Sequence, residues 1–201
     1  MLLLKLEITK LKEAKNVKNR FPLIGERVSL VPLETDDIRA MAPFFSDVKE
    51  IYYYLPDALL PRNLKQLESL MEDWNDGKEN FVFACRLKEK TIGLVTLSYV
   101  DPISGHAELG VMLAEPEYRG RGLAQEAMRL IIDYAFSELR LHRLYARVAR
   151  DNEASLKLFR QLGFTEEGTM REAMRREGRY IDLLFFGLLE QEYKPLPPPS
   201  F

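Results

Sequence analysis

Apolar and polar positions change period several times along the chain, and each change marks an element. From Arg27 to Leu33 they alternate as in a half-buried strand. Thr35-Asp36-Asp37 follows with capping side chains, and the spacing after it predicts a helix to about Ser46. Asn63 caps a second predicted helix through Trp74, which Asn75-Asp76-Gly77 ends. Phe81 to Leu87 and Thr91 to Tyr99 read as strands joined by a tight Lys88-Glu89-Lys90 turn, hence a hairpin. A turn at Asp101-Pro102-Ile103-Ser104-Gly105 then leads into a strand from His106 to Leu113.

From Gly122 to Leu139 the period becomes helical, with Ala127, Leu130, Ile131, Tyr134 and Ala135 on the apolar face. Leu144 to Ala149 is a strand, Asn152 to Leu162 a helix closed by Gly163, and Phe164 onward with Ile181 to Leu189 a final strand pair. A meander of strands followed by strand–helix–strand–helix–strand predicts an α/β (α+β) fold with an antiparallel part and at least one crossover. Such sheets bind ligands at the carboxyl ends of strands where the strand order switches. The strand ending at Leu113 feeds a glycine-rich turn and a helix start, which makes that turn the first place to look.

The two ends read differently. Residues 1–21 form a basic extension (Lys5, Lys10, Lys12, Lys15, Lys18 and Arg20 against Glu7 and Glu13) whose apolar residues fit a helical stripe and a strand equally. It is either a solvated extension or a contact for a partner or a second copy. Residues 193–201 form a tail in which Pro195-Leu196-Pro197-Pro198-Pro199 excludes helix and central strand, so the folded domain is expected over 22–192.

Composition narrows the function. With 201 residues, 46% hydrophobic and 30% charged, the chain can bury a full core without disulfide or metal. Lys plus Arg number 29 against 31 Asp plus Glu, a net charge of -2, so a general nucleic-acid surface is not expected and any anion site must be local. No apolar run reaches the ~20 residues of a membrane span. The single cysteine, Cys85, lies in an apolar strand and reads as a core residue, which suits a cytoplasmic protein. His106 and His142 have no ligand partners at metal spacing, and no metal is expected.

The turn reads Glu115-Pro116-Glu117-Tyr118-Arg119-Gly120-Arg121-Gly122-Leu123-Ala124. Two glycines at a helix start let backbone N–H groups converge on an anion, and the helix end adds about half a positive charge. A P-loop pattern is absent, as is a Gly-x-Gly-x-x-Gly after the first strand. Arg119-x-x-Gly122-x-Ala124, with Asn152-Glu153-Ala154-Ser155 and Leu162-Gly163-Phe164 downstream, resembles the acetyl-CoA signature of the GNAT superfamily of N-acetyltransferases. More narrowly, Ala107-Glu108-Leu109-Gly110, Tyr134-Ala135-Phe136, Gly163-Phe164-x-x-Glu167-Gly168 and Gly178-x-Tyr180-x-Asp182 resemble its ribosomal-protein N-terminal alanine and serine acetyltransferase branch, which also holds the spermidine acetyltransferases.

That resemblance implies a mixed, mostly antiparallel sheet flanked by helices, with a splayed strand pair forming the acetyl-CoA cleft. It implies that backbone groups of Val111, Met112 and Leu113 hold the pantetheine arm. Arg121, Gly122, Leu123 and Ala124 would offer N–H groups to the pyrophosphate, with Arg119 and Gly120 completing the loop. Asn152 would bond the cofactor arm, although the residue also suits a helix N-cap. Direct attack of a primary amine on the thioester needs a proton acceptor, for which Glu108 is the candidate; the competing reading is a structural strand carboxylate. Relatives place a tyrosine seven positions after the motif asparagine as proton donor to the leaving thiolate. Here that position is Phe159, and Ser155 is the substitute candidate, or else a serine of the helix surface.

The acceptor is an amine, with a protein N-terminus the first expectation. A polyamine or other small-molecule amine is the alternative, as is a non-catalytic acyl-CoA-binding regulator suggested by Phe159. Tyr52-Tyr53-Tyr54, with Asp47, Glu50 and Asp57 around it, lies where the family shapes its acceptor site, yet also reads as packing. Arg171, Arg175, Arg176 and Arg179 interleave with acids and read as a solvated turn. Relatives often pair, so a homodimer is a further expectation of the resemblance.

Overall fold

A computed structural model describes residues 21–47, 51–53 and 62–195. The expectations for residues 1–20, for Glu50, Tyr54 and Asp57, and for residues 196–201 lie outside the described residues. Along the chain run β1 (Leu23–Ile24), β2 (Val28–Pro32), α1 (Thr35–Phe45), α2 (Leu64–Trp74), β3 (Phe81–Leu87), β4 (Lys90–Asp101) and β5 (His106–Leu113). A 3-10 turn (Pro116–Tyr118) precedes α3 (Leu123–Ser137), β6 (Arg143–Ala149), α4 (Glu153–Gln161), β7 (Thr165–Arg176) and β8 (Arg179–Leu189). The strands form one sheet in the order β1-β2-β3-β4-β5-β6-β8-β7.

Every pairing is antiparallel except that of β5 with β6. That parallel pair is short: His106↔Arg143, Ala107↔Leu144 and Glu108↔Tyr145. Past Glu108, β5 stays with β4 as far as Gly93↔Leu113, while β6 stays with β8 as far as Ala149↔Leu183. The sheet therefore forks, and residues 109–113 and 146–149 form its two prongs. Gly93 lets β4 lie so close to the first prong that an added Cβ would stand 2.1 Å from the Met112 carbonyl.

Two apolar layers hold this frame. On one face, α3 and α4 bury Leu123, Ala127, Met128, Ile131, Ile132, Leu156 and Phe159 against Ala107, Leu109, Leu144, Ala146 and Phe186. On the other, α1 and α2 bury Ile38, Met41, Phe44, Leu67 and Met71 against Val82, Ala84, Leu94 and Met112. Each fully buried Ile, Leu or Met contributes about 1.5–3 kcal/mol of transfer free energy. The buried arc of α3 is wider than the periodicity predicts. Met128, Ile132 and Phe136 are fully covered, whereas Leu130 and Tyr134 are partly buried at its edge. The reason is a second set of neighbours: Phe21 packs edge-on to Tyr134 at 5.1 Å, and Tyr193 lies 5.5 Å from Phe136.

One buried charge organises the α1 side. Asp37 is 2% exposed. It accepts from Arg86 Nε and Nη2 at 2.9–3.1 Å, from the Glu34 N–H at 3.1 Å and from the Thr91 hydroxyl, tying α1 to the β3–β4 hairpin. Its place three residues after Glu34 makes it the far half of a capping box. Among the described residues no helix is long and apolar enough to cross a membrane.

Candidate active site

The fork places Glu108 at its base, because that residue is the last of β5 to pair with β6. Alternation puts Glu108 and Arg147 on the same sheet face, opposite α3. Their side chains meet in a bidentate pair, Arg147 Nε to Oε1 at 2.9 Å and Nη2 to Oε2 at 2.8 Å. Those hydrogen bonds hold the Arg147 guanidinium above its ordinary pKa. Arg147 has no signal in the sequence, since only the β5–β6 register brings it to Glu108. Val111, Met112 and Leu113 follow on the first prong; Met112 and Leu113 bury their side chains, leaving backbone as what that prong can offer a ligand.

At the end of the prong the chain turns into the glycine loop. Arg119 Nη2 donates to the Leu113 carbonyl at 3.3 Å, folding the loop back on the strand. Gly120 and Gly122 both adopt left-handed backbone, φ 70° and 76°, which glycine enters at little cost. Gly122 is the N-cap of α3 and has no side chain with which to cap it. The first-turn N–H groups, beginning with Leu123 and Ala124, are therefore left for an anion. Leu123 itself anchors the loop in the core at 1% exposure. Nothing lies within 4 Å of where a Gly120 Cβ would stand, so the loop is open on that side. The glycines, the uncapped helix start and the arginines of this loop fit a pyrophosphate.

Across the fork, Asn152 follows β6 and caps α4. Its Oδ1 accepts from the Ser155 N–H at 3.2 Å, and its own N–H bonds the Ala149 carbonyl at 2.9 Å. Among the described residues the cap uses only the amide oxygen, which leaves the two amide hydrogens for a ligand. Ser155 is half-buried in the first turn of the same helix. Phe159 is 4% exposed, with ring centroids 5.1 Å from Phe164 and 6.2 Å from Phe186. Its ring is committed to the core under α4.

A third element reaches the second prong. Tyr52, from the segment after α1, packs on Ala149 and Met174. Arg176 stacks over both neighbouring rings, 5.1 Å from Tyr52 and 4.4 Å from Tyr53, donates to the Tyr53 hydroxyl and pairs with Asp151 at 3.2 Å. This differs from the solvated-turn reading of the arginine cluster: Arg176 has a side chain only 21% exposed, because the β7–β8 hairpin folds over the tyrosines. The Tyr52 hydroxyl is buried without a hydrogen-bond partner among the described residues. Burial raises its pKa, with the Arg176 charge opposing. Cys85 plays no part here; burial pushes its thiol up to about 12.

Comparisons with known proteins agree with this geometry. Residues 27–165 match the acetyltransferase (GNAT) domain family. The chain is 32% identical over 177 residues to the uncharacterized N-acetyltransferase p20 of Bacillus licheniformis, covering 85% of this chain and 97% of that protein. It is 32% identical over 130 residues to the putative ribosomal N-acetyltransferase YdaF of Bacillus subtilis, covering 63% and 70%. Among solved structures, spermidine N-acetyltransferase from Vibrio cholerae in complex with CoA and spermine superposes with a TM-score of 0.76 at 27% identity, over 84% of this chain and 99% of that one. The overall fold is thus shared with enzymes of one kind, and the chain belongs to the GNAT acetyltransferases, an N-acetyltransferase that takes its acetyl group from acetyl-CoA.

Proposed function

We propose that the acceptor is the free α-amine of a protein or peptide, entering on the face that carries Glu108, Tyr52 and Arg176. The observation that carries this reading is that, among the described residues, carboxylates along β5, β6 and the β7–β8 hairpin are paired with arginines. Glu108 lies on Arg147, Asp151 on Arg176, Glu167 on Arg143 and Asp182 on Arg150. The hollow beside Asp151 is lined by Asp151, Arg176, Glu177, Arg179 and Ile181, two acids against two bases. Spermidine and spermine, acceptors of relatives, carry several ammonium groups and call for a surplus of free carboxylates. A polypeptide N-terminus brings one ammonium and calls for no such surplus.

Proton chemistry points the same way. Acetyl-CoA supplies an activated acyl group, and the protein must bring an unprotonated amine to it. Glu108 accepts the ammonium proton in this reading, and its two oxygens are already shared with Arg147. An α-amine, whose reference pKa of about 7.7–8 leaves a sizeable free fraction near neutrality, asks less of a single carboxylate than an amine near 10.4. Val111, Met112 and Leu113 would hold the pantetheine arm, Arg119 to Ala124 the pyrophosphate and Asn152 the cofactor arm, while Ser155 stands nearest in sequence as a hydroxyl donor to the departing thiolate.

The deciding experiment is CoA release across an acceptor panel: short peptides beginning with Ala or Ser, the same peptides Nα-acetylated but carrying an internal Lys, and spermidine and spermine. Free-N-terminal peptides should give kcat/KM at least about tenfold above the polyamines. Faster turnover of spermidine, or equal turnover of the blocked peptides, would overturn the assignment.

A further inference from the structure

We propose that Arg27, clamped by Glu126, is a positioning residue for the pyrophosphate loop and so sets affinity for the phosphate-bearing half of acetyl-CoA. Neither residue belongs to the loop. Arg27 immediately precedes β2, and Glu126 lies in the first turn of α3. Their contact closes a sequence separation of 99 residues.

The clamp is built from both sides. Glu126 Oε1 accepts from the backbone N–H of Arg27 at 2.6 Å and of Val28 at 3.1 Å, and Oε2 accepts from Arg27 Nε at 2.8 Å. Gly25 makes room for it, since an added Cβ there would stand 2.6 Å from Glu126 Oε1. Burial works to raise the Glu126 pKa, but these hydrogen bonds outweigh it and hold the carboxylate below its ordinary range. A charged carboxylate in the first turn of α3 would repel a pyrophosphate at the same helix end. Here its oxygens are occupied on the β2 side, and its charge is offset by a guanidinium.

The remaining arm of Arg27 reaches the loop directly. Nη1 donates to the Arg121 carbonyl at 2.8 Å, and Nη2 stands 3.4 Å from where a Gly122 Cβ would be. In a planar trans peptide the carbonyl and the following N–H point in opposite directions. Fixing the Arg121 carbonyl toward Arg27 therefore turns the Gly122 N–H the other way, off β2. Gly122, at φ 76°, has no side chain to choose that orientation for itself. The Arg27 fork makes the choice, one nitrogen on the acid and one on the carbonyl, a task a lysine ammonium performs less well.

This inference rests on acetyl-CoA as donor and not on the choice of acceptor, so its test uses binding alone. Calorimetric Kd values for CoA and for S-acetyl-pantetheine, which lacks the pyrophosphate, are compared in wild type, Arg27→Ala and Arg27→Lys. Arg27→Ala should weaken CoA about tenfold or more, as loss of a charge-assisted hydrogen bond does. It should leave S-acetyl-pantetheine within about twofold, and Arg27→Lys should recover part of the loss. Equal weakening of both ligands would reveal a merely structural residue, and unchanged CoA affinity would remove Arg27 from the site; either overturns the proposal. If Arg27→Ala does not fold, Arg27→Lys keeps the charge beside Glu126 and reads the same contrast between the two ligands.

Discussion

Replacing Glu108 by Gln separates a catalytic carboxylate from a structural one, because the structure predicts a small effect on stability and a pH-dependent effect on turnover. The partner is accessible: the Arg147 side chain is 41% exposed and that of Glu108 15%. An ion pair open to solvent on one side contributes at most about 1 kcal/mol, which in a domain of this size moves Tm by under about 4 °C. For turnover, the greatest help a base can give is to make the protonated fraction of bound amine competent. With an α-amine of pKa about 7.9, that ceiling is about 3.5-fold at pH 7.5 and about 80-fold at pH 6; for an amine near 10.4 it is already about 800-fold at pH 7.5. Glu108→Gln should therefore track wild type closely above pH 8 and fall away as pH drops. The assay is release of CoA thiol with a chromogenic reagent, to which buried Cys85 adds little background because its thiol is pushed up to about 12. Superimposable pH profiles for the two proteins would refute the base role, and a Tm loss beyond about 5 °C would show the pair to be structural.

Substitutions at two further sites test the α4 cap and the buried network under α1. Asn152→Ala should cost about 1 kcal/mol as the α4 cap is lost and should raise KM for acetyl-CoA. Asn152→Asp keeps an acceptor for the Ser155 N–H and should restore stability, but it has no amide hydrogens and should leave KM raised; recovery of both would make Asn152 a cap alone. Asp37→Ala strands the Arg86 guanidinium, whose side chain is 28% exposed, and should lower unfolding free energy by about 3 kcal/mol, the low end for a buried pair. Adding Arg86→Met should return part of that loss in urea unfolding, and a single-mutant loss under about 1 kcal/mol would contradict the buried-network account.

Much of this architecture was legible in the chain because it depends on local chemistry. The Asn63 and Asn152 caps, the Lys88–Glu89 turn and the period of α3 are written in neighbouring residues. The two-residue β1 is too short to carry a pattern, and β7 is exposed along nearly its whole length, so no alternation marks its extent. In the site, the glycine loop was visible because a helix start without a capping side chain has a composition of its own. What stayed hidden were the partners that the topology supplies. Arg147 meets Glu108 only through the parallel register at Tyr145, Arg27 meets Glu126 across the length of the domain, and Arg176 meets Tyr52 through the bend of the hairpin. Each is an arginine of ordinary sequence surroundings whose role is fixed by long-range pairing.

Those arginines also bear on the departure at Phe159. A tyrosine at that position would offer a proton to the leaving thiolate; here the ring is packed between Phe164 and Phe186 and the position supplies no hydroxyl. Glu108, in turn, is shared with a guanidinium. The missing hydroxyl would be costly with a strongly basic acceptor, which must also lose a proton held about 2.5 pKa units more tightly than that of an α-amine, or about 3.4 kcal/mol. With an α-amine the demand is small, and a thiol with a reference pKa near 8.5 can depart with modest help. In the proposed reading the rate then comes chiefly from holding amine and thioester in attacking geometry across the fork. That places the catalytic weight on the prongs and on the loop that fixes the donor, and it predicts that acceptors matched in pKa but differing in shape will still differ widely in rate, while a more basic amine of the same shape loses up to about 3.4 kcal/mol to its tighter proton.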